Sequence, residues 1–400
     1  MTEKRKLMLI SPMLHQGGFE RVCVTTARLL EEYFDITIVI FDSADIAYNV
    51  DGLRIVDLQL GVQQGKVKKL LNIVKRSLKV RKLKKQLRPD ISYSFGPTAN
   101  MVNAFSKTRE TKVWLGIRSY MDVEEKTKMK LFTKFADLLV CCSKEIEKEV
   151  NIKFGFDKTN VLYNPYDVKS IRKEAENAKA KLPWQKKDEE GREIKVLVSM
   201  GRDDEVKGFW HLLKSFSLVL KEYPESRLLI LGDGSFEKDK KLAEELEIAD
   251  KVYLAGMQRE PYKYLKEGMV YVLTSSREGF PNALVEGMSL GLAPVSTNCM
   301  TGPAEILTDT GNCDLLNRKM EENKTGVIYG EYGILLPVMS KERCMEADVI
   351  EPGEKVLAEV LISLLRDEEF LKRYRQAAVS RAGIFTYEGY IEQFLEMAAH

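Results

Sequence analysis

Two carboxylates flank a turn in the second half of the sequence, where an apolar run passes into a helical segment. The stretch SSREGFPNALVEG carries Glu278 and Glu286 and follows the apolar residues 269–274. The first N–H groups of a helix lack intrahelical partners and carry partial positive charge, so such a turn can hold a diphosphate. Carboxylate oxygens accept hydrogen bonds from paired hydroxyls. The pattern indicates a site for phosphate and sugar hydroxyls; the alternative is two exposed charges on a loop and a helix.

The residues between the two glutamates fit a backbone cradle. Gly279 lets the main chain approach a ligand closely, and Asn282 is expected to cap the helix. We expect the following residues of the turn to contact substrate: Gly279, Phe280, Pro281, Asn282, Ala283 and Leu284.

Two cations follow an earlier strand candidate, residues 195–200. The loop GRDDEVKG places Arg202 and Lys207 on either side of an acidic triplet. Cations on both sides of a phosphate pair neutralise its charge and the charge that grows on a leaving nucleotide. Solvated surface side chains are the alternative for an isolated Arg and Lys.

Short apolar strands and helical segments alternate in both halves of the chain, which is typical of parallel sheets covered by helices. Between the halves, residues 168–194 are polar and helix-prone. We therefore predict an α/β protein with two Rossmann-like, doubly wound domains that face each other across a ligand cleft. The predicted divisions are an N-terminal domain 1–167, a linker 168–194, a C-terminal domain 195–383, and a helix 384–400 that returns to the N-terminal domain.

Bulk properties limit the class of protein. A length of 400 residues suits two domains, and a net charge of +2 does not indicate a nucleic-acid binder. The six cysteines form no CxxC pair, and adjacent Cys141 and Cys142 are expected in the core, as in a reducing compartment. The apolar part of the segment MTEKRKLMLIS is too short for a signal peptide. No run of 18 apolar residues occurs, so we expect no transmembrane helix. We expect a cytoplasmic protein.

The stretch EGFPNALVEGMSLGLAPVSTNCMTGPAEIL resembles the donor-site signature of glycosyltransferase family 4, a retaining family with the GT-B fold. The loop GRDDEVKG resembles the family's second conserved block, beginning at Gly201. The resemblance implies that Glu278 contacts the donor sugar and Glu286 the ribose. It also implies that Arg202 and Lys207 hold the diphosphate and that no metal is needed, so the acidic triplet is not expected to bind one.

Further segments are similar to family landmarks. HQGGFERV resembles the glycine loop of the first domain, in which Gly17 and Gly18 would leave space for the donor. DKVYLAGMQREPYKYL resembles the segment that reads the base, through the backbone of Met257, Gln258 and Arg259. The sequence departs from the family at Arg118, which stands where many members carry a catalytic histidine. Some polysaccharide-type relatives share an arginine there, and whether Arg118 replaces the histidine stays open. Residues 311–330 look like an insertion without an assigned role.

A strongly basic helix is predicted at residues 61–88, which contain eleven Lys or Arg and no Asp or Glu. Val67, Leu70, Leu71, Val74 and Leu78 recur at helical spacing among them. Such a helix favours an anionic membrane surface. Nucleic acid is the competing partner, and we do not expect it, because aromatic residues for base stacking are absent from the segment. A solvated helix covering the core is the third interpretation.

Taken together, these features predict a retaining, metal-independent hexosyltransferase without a cofactor, peripheral on the inner face of the cell membrane. By resemblance the donor is a UDP-sugar carrying a hexose or N-acetylhexosamine. The acceptor is a polyprenyl-diphosphate-linked saccharide of a capsule, lipopolysaccharide or exopolysaccharide pathway. Two alternatives remain open: a GT-B nucleotide-sugar epimerase, which needs no acceptor, and a non-catalytic nucleotide-sugar-binding protein.

Overall fold

The structure is a computed structural model in which residues 4–15, 17–323 and 326–399 are described. Gln16 of the glycine loop, Lys324 and Thr325 of the 311–330 segment, His400 of the final helix and the first three residues lie outside the described residues. The chain forms two compact units. The first is Met1–Pro165 with Tyr387–His400, and the second is Tyr166–Thr386.

The first unit contains a seven-stranded parallel sheet with the strand order β3-β2-β1-β4-β5-β6-β7. Its strands are β1 Arg5–Ser11, β2 Phe34–Ile40, β3 Ile55–Asp57, β4 Ile91–Phe95, β5 Lys112–Ile117, β6 Leu138–Cys141 and β7 Thr159–Val161. Its first helices are α1 Gly18–Leu30, α2 Lys66–Leu87, α3 Pro97–Phe105, α4 Tyr120–Glu124, α5 Lys126–Phe135 and α6 Lys144–Phe154. The central strands are buried nearly throughout, as expected for a parallel sheet covered on both faces.

The second unit repeats this plan with the strand order β10-β9-β8-β11-β12-β14-β13, in which only the β13–β14 pair is antiparallel. Its strands are β8 Val196–Met200, β9 Arg227–Leu231, β10 Val252–Gly256, β11 Val270–Leu273, β12 Ala293–Thr297, β13 Ile328–Tyr329 and β14 Ile334–Leu336. Its helices are α7 Val168–Glu176, α8 Phe209–Glu222, α9 Glu237–Glu245, α10 Tyr262–Leu265, α11 Asn282–Ser289, α12 Pro303–Leu307, α13 Cys313–Glu322, α14 Pro352–Arg366 and α15 Glu368–Ala382.

The last helix, α16 Tyr387–Ala399, belongs to the first unit. Phe394 on this helix is fully buried and packs against Phe34 and Trp114, with ring centroids 5.8 and 5.3 Å away. Tyr390 shares a hydrogen bond with Thr26 of α1. Helix α16 therefore completes the core on the α1 face of the sheet.

The polar segment at 168–194 begins with α7, which contacts α10 and α11 of the second unit. Arg172 donates from Nε to the carbonyl of Ser289, at 2.9 Å. Residues 311–330 form α13 and the short edge strand β13. The fold prediction is confirmed: the chain forms two Rossmann-like α/β units, each with a largely parallel sheet. Among the described residues, no helix has the length and apolar character needed to cross a membrane.

Candidate functional site

The candidate site lies where the strand order of the second sheet reverses. Strands β8 and β11 are neighbours, and the chain builds outward from β8 to one side and from β11 to the other. Loops that follow two such strands diverge and leave a crevice at the carboxyl edge, where open α/β sheets bind ligands. Here those loops are residues 201–208 and 274–281, the two segments that carry the predicted donor residues.

The loop after β8 is a tight turn with few degrees of freedom. Asp204 accepts the N–H of Val206 at 3.0 Å and starts a 3₁₀ turn, Glu205–Lys207. Gly208 ends the turn at φ +63°, and a Cβ there would lie 2.6 Å from the carbonyl oxygen of Thr274. Only glycine fits both constraints. The turn thus holds Lys207 in a fixed place, while Arg202 stays exposed at its start.

Two hydrogen bonds tie this loop to the one after β11. The hydroxyl of Thr274 donates to the carbonyl of Lys207 at 2.8 Å, and the N–H of Ser276 donates to the carbonyl of Val206 at 2.8 Å. Neither contact was expected from the sequence, because neither a hydroxyl side chain nor a main-chain N–H after a strand carries a distinctive pattern. Their effect is to fix Lys207 relative to Glu278.

Lys207 and Glu278 form an ion pair, with Nζ 2.7 Å from Oε1. The two side chains are 22% and 11% exposed, so water screens the pair only in part. The structure therefore brings together two of the residues predicted to act on the donor.

The turn before α11 is held by the segment after β12. Glu278 donates its N–H to the carbonyl of Met300 at 2.9 Å, and its own carbonyl accepts the N–H of Thr301 at 3.1 Å. The hydroxyl of Thr301 also donates to the carbonyl of Gly279, at 2.7 Å. Phe280 is buried and Pro281 lies at the helix start, so the cradle predicted at 279–284 consists of a fixed loop, 279–281, and the first turn of α11.

The expectation that Asn282 caps this helix is wrong. Pro281 is the capping residue, in an extended conformation and without a side-chain cap, and Asn282 is the first helical residue. The side chain of Asn282 instead accepts a hydrogen bond from the hydroxyl of Tyr166. Pro281 has a ψ of 95°, outside the helical region, so the helix begins one residue later.

Glu286 lies on α11 and is only 2% exposed. Tyr271 of β11 is affected by the charges of both glutamates. Burial raises the pKa of its hydroxyl well above the usual value, and the charges of Glu278 and Glu286 raise it further. Both carboxylates therefore act on one buried ring at this edge of the sheet. Tyr271 was not predicted, because an aromatic residue within an apolar strand is indistinguishable from core.

The segment predicted to read the base follows β10. Met257 is 48% exposed, and Gln258 donates from its side chain to the carbonyl of Ala255 at 2.6 Å. The carbonyl of Gly256 accepts the N–H of Gly232, which follows β9, at 3.0 Å. Gly201, Met257 and Arg259 thus follow the carboxyl ends of strands β8 and β10, which lie on either side of β9.

In the first unit, the predicted residues lie at the carboxyl edge of that unit's sheet. Gly17 precedes α1 and shares two hydrogen bonds with the hydroxyl of Tyr48, at 2.9 and 2.8 Å, and Gly18 begins the helix. Arg118 follows β5. Its guanidinium donates to the hydroxyl of Tyr93 and, at 2.9 Å, to the side chain of Asn164. These contacts connect the residue after β5 to β4 and to the segment that follows β7. The catalytic role of Arg118 stays a prediction.

The acidic triplet after β8 is used in local structure. Asp203 accepts the N–H of Phe236 at 2.9 Å, and Asp204 caps the 3₁₀ turn. Among the described residues, the one group with metal-ligand spacing lies elsewhere and consists of His211, Glu351 and Glu354. His211 is buried and hydrogen-bonded through both ring nitrogens, to Glu354 at 2.8 Å and to the carbonyl of Ser340 at 2.9 Å. It therefore links α8 to α14, beyond the simple packing role that its apolar surroundings suggest.

Comparison with known proteins shows the family of the chain. Residues 181–322 match the family model described as glycosyl transferases group 1. An uncharacterized glycosyltransferase of Methanocaldococcus jannaschii is 32% identical over 347 residues, covering 80% of this chain and 82% of that protein. A Campylobacter jejuni protein named N-acetylgalactosamine-N,N'-diacetylbacillosaminyl-diphospho-undecaprenol 4-alpha-N-acetylgalactosaminyltransferase is 25% identical, covering 95% of this chain and 96% of the relative.

Among solved structures, HepE of Anabaena in complex with UDP and glucose matches with a TM-score of 0.73 at 16% identity, over 99% of both chains. The fold is that of the GT-B glycosyltransferases. The chain belongs to the glycosyl transferases group 1, as its resemblance to glycosyltransferase family 4 predicted. Its relatives include a lipopolysaccharide 1,6-galactosyltransferase of Salmonella typhimurium and an amylovoran biosynthesis glycosyltransferase of Erwinia amylovora.

Proposed function

We propose that the protein is a retaining hexosyltransferase that uses a UDP-sugar, carrying a hexose or an N-acetylhexosamine. Its acceptor in this proposal is a polyprenyl-diphosphate-linked saccharide of bacterial surface polysaccharide biosynthesis. The observation that carries the proposal is the Lys207–Glu278 pair beside the start of α11, at the switch point of the second sheet. The name of the Campylobacter relative supports a lipid-linked acceptor, and the UDP complex of HepE supports the donor class.

In this proposal the donor diphosphate lies at the N-terminus of α11, where the helix dipole and backbone N–H groups favour an anion. Arg202 and Lys207 add two cations, so charge on the departing nucleotide is compensated by protein groups without a metal. Glu278 accepts hydroxyls of the sugar and Glu286 those of the ribose. The backbone of residues 257–259 reads the base.

The proposed reaction breaks the bond between the anomeric carbon and the diphosphate oxygen. The acceptor hydroxyl attacks the same face of the sugar, and its proton passes to the departing phosphate oxygen. The anomeric configuration is then retained without a protein nucleophile. The role of Lys207 is to hold the phosphate as negative charge grows on it.

The first experiment measures nucleoside diphosphate release from UDP-, GDP- and ADP-sugars, with and without membrane lipid extract and EDTA. The proposal expects release from a UDP-sugar, increased by the extract and unchanged by EDTA. Loss of activity with EDTA would contradict the metal-independent mechanism. Release from a GDP- or ADP-sugar alone would contradict the proposed UDP-sugar donor but not the proposed transferase activity.

Retention has its own test. Proton NMR of the product reports the configuration of the new glycosidic bond. The proposal expects the α configuration from an α-linked UDP-sugar. A β-linked product would require inversion and would contradict the same-face reaction.

We also propose that the protein docks on the inner face of the cell membrane through α2. The structure supports this through the location of the apolar residues predicted for this helix. They are not in the core but 49–72% exposed: Val67, Leu70, Leu71, Val74 and Leu78. The residues that face the unit are others, among them Arg76 and Val80.

Basic side chains surround this exposed stripe. Nine of the eleven Lys and Arg of residues 61–88 are exposed, and only Arg76 and Lys84 are buried. Exposed apolar residues between cations match the boundary between anionic headgroups and acyl chains, with about 1 kcal/mol gained per cation near such a surface. Nucleic acid would use the cations but leave the apolar stripe in water.

Co-sedimentation with vesicles of phosphatidylcholine alone or with anionic phosphatidylglycerol tests the docking. The paired changes Leu70→Ser and Leu71→Ser should reduce binding at least tenfold, because they remove about 2–3 kcal/mol or more of apolar burial. The control is Ile152→Ser, which alters an apolar residue of the same unit that is at least as exposed as Leu70 and Leu71.

A charge control accompanies this test. Lys68→Glu with Lys75→Glu should abolish binding to anionic vesicles, whereas Lys126→Glu with Lys130→Glu on α5 changes the net charge equally and should reduce it less. Equal loss in both pairs, or no binding of the unchanged protein at low salt, would contradict docking through α2.

A further inference from the structure

Lys207 and Glu278 are proposed to hold different parts of the donor, yet in this structure they hold each other. The ammonium that would bind the diphosphate is 2.7 Å from the carboxylate that would bind the sugar. The two residues lie in loops that follow different strands, 71 positions apart in sequence. Each group therefore neutralises the other while no donor is bound.

The pairing is built into the loops. The Lys207 backbone is fixed by Thr274, and the Glu278 backbone is paired on both sides with Met300 and Thr301. The Lys207 stem also lies over Gly201, whose Cβ position would be 3.1 Å from the lysine Cδ. A pair held this way loses little side-chain entropy when it forms, unlike a pair of free surface side chains.

The charges of Glu278 and Lys207 act on buried neighbouring groups, because little water screens them there. Cys299 is fully buried beside the pair, and its pKa is raised by burial and, next in size, by the Glu278 carboxylate, while Lys207 lowers it. Tyr271, also buried, has its pKa raised by burial and then by Glu278. A carboxylate that affects both neighbours will also act on a diphosphate placed at Lys207.

A nucleotide sugar and a nucleoside diphosphate differ in the partners that they offer to Lys207 and Glu278. The nucleotide sugar supplies phosphate to Lys207 and hydroxyls to Glu278, so both groups regain partners. The nucleoside diphosphate supplies phosphate alone, which leaves Glu278 without its cation and close to added negative charge. Partly buried charges that lose a partner are costly.

We infer that Glu278 is a specificity-determining residue that selects the sugar-bearing nucleotide over the free nucleoside diphosphate, by competing for Lys207 whenever no sugar occupies it. This inference rests on the proposed donor site. It gives Glu278 a second task after transfer, in which the carboxylate recovers Lys207 and promotes release of the product.

Isothermal titration with UDP and with UDP-glucose or UDP-N-acetylglucosamine tests this. In Glu278→Gln, the amide competes weakly for Lys207, so UDP should bind roughly tenfold tighter than to the unchanged protein. The nucleotide sugar should gain less, because it loses the carboxylate as hydroxyl acceptor. The ratio of the two affinities is the measured quantity.

Glu205→Gln is the matched control, since it removes the same charge from an exposed side chain within the 3₁₀ turn and should leave the ratio unchanged. Lys207→Met provides a second variant, expected to weaken UDP and the nucleotide sugar alike. Circular dichroism establishes that each variant is folded.

Unchanged or weaker UDP binding by folded Glu278→Gln would overturn the inference while leaving the donor site intact. An equal gain in Glu205→Gln would also overturn it, because charge alone would then explain the effect. If the unchanged protein bound neither UDP, GDP nor ADP, the proposed donor site itself would fail, and the inference with it.

Discussion

Lys207 reaches the candidate site through a turn that leaves it little freedom, and Glu278 meets it from the neighbouring loop. Glu286 contributes from inside α11, where it is nearly inaccessible to water. These three side chains differ in exposure and in partners, so each mutation tests the donor site through a different contact.

Replacing Lys207, Glu278 or Glu286 by alanine should lower turnover of the nucleotide sugar, each by roughly 100-fold, because each removes a contact to the reacting donor. The measurement is steady-state release of UDP in the presence of acceptor extract. Lys241→Ala, an exposed lysine of the same unit, should leave turnover unchanged. Near-normal turnover in all three variants would contradict the site assignment.

A substitution at Gly232 tests how closely the backbone packs at the carboxyl edge of the second sheet. Its φ is +153°, and a Cβ there would lie 1.7 Å from the carbonyl oxygen of Gly201. Gly232→Ala should therefore destabilise the second unit by about 1–3 kcal/mol or more, since the strand ends must move apart.

Gly256→Ala is the control, because that residue has φ +67° but no atom within 4 Å of the added Cβ. Thermal unfolding of both variants separates the clash from the cost of positive φ. Equal stability of the two variants would show that the Gly201–Gly232 contact is not tight in solution.

At the scale of elements, α2 uses its two sides differently. One side packs on the sheet through Val80 and through Arg76, which donates from Nε to the carbonyl of Leu60 at 2.9 Å. The other presents the apolar stripe. Lys84 is an exception among the lysines of this helix, because it is 1% exposed and donates to the side chain of Asn103 at 2.7 Å.

Burial lowers the pKa of Lys84 to about 7; the nearby charge of Asp137 raises the pKa and that of Lys107 lowers it. Between pH 7 and the ordinary pKa near 10.5, the unfolded chain binds more protons than the folded one, so this group makes stability rise with pH across that window. The cost of burying the charge is present in full below about pH 7.

Lys84→Met should remove this dependence. The melting temperature of the variant relative to the unchanged protein should be highest near pH 7 and fall as pH approaches 10. Lys85→Met, at an exposed neighbour, should show a difference that does not vary with pH. A flat difference for Lys84→Met would mean that the lysine is not buried as a titrating group.

At the scale of the molecule, the end of the chain stabilises its beginning. Phe394→Ala should destabilise the first unit by about 3–5 kcal/mol, because it leaves a cavity between Phe34 and Trp114. Differential scanning calorimetry should show the transition of the first unit shifted down and that of the second unchanged. An equal shift of both transitions would contradict the assignment of α16 to the first unit.

The sequence predicted the central elements well. The strand candidate 195–200 and the apolar run 269–274 contain β8 Val196–Met200 and β11 Val270–Leu273, since a buried strand needs a continuous apolar pattern. Short edge strands β3 and β13 were not predicted, because half-exposed strands of two or three residues have no such pattern. The core placement predicted for Cys141 and Cys142 is confirmed.

The site was predicted in its residue types but not in its contacts. Helical periodicity in α2 identified an apolar stripe, yet periodicity alone does not say whether a stripe faces the core or the solvent. The Lys207–Glu278 pair depends on how the loops after β8 and β11 approach each other, which is set by sheet packing and not by local sequence. The position of the N-cap depends on the backbone angle ψ of Pro281, which local sequence does not determine.

The most direct test of the central claim follows a radiolabelled sugar from its UDP donor. The protein is incubated with the labelled donor and a membrane lipid extract, and the lipid fraction is separated and counted. The account predicts label in a saccharide that remains attached to lipid, with UDP released in equal amount and both lost in Lys207→Ala. Donor converted to a different nucleotide sugar, or consumed with no label in any acceptor, would contradict it.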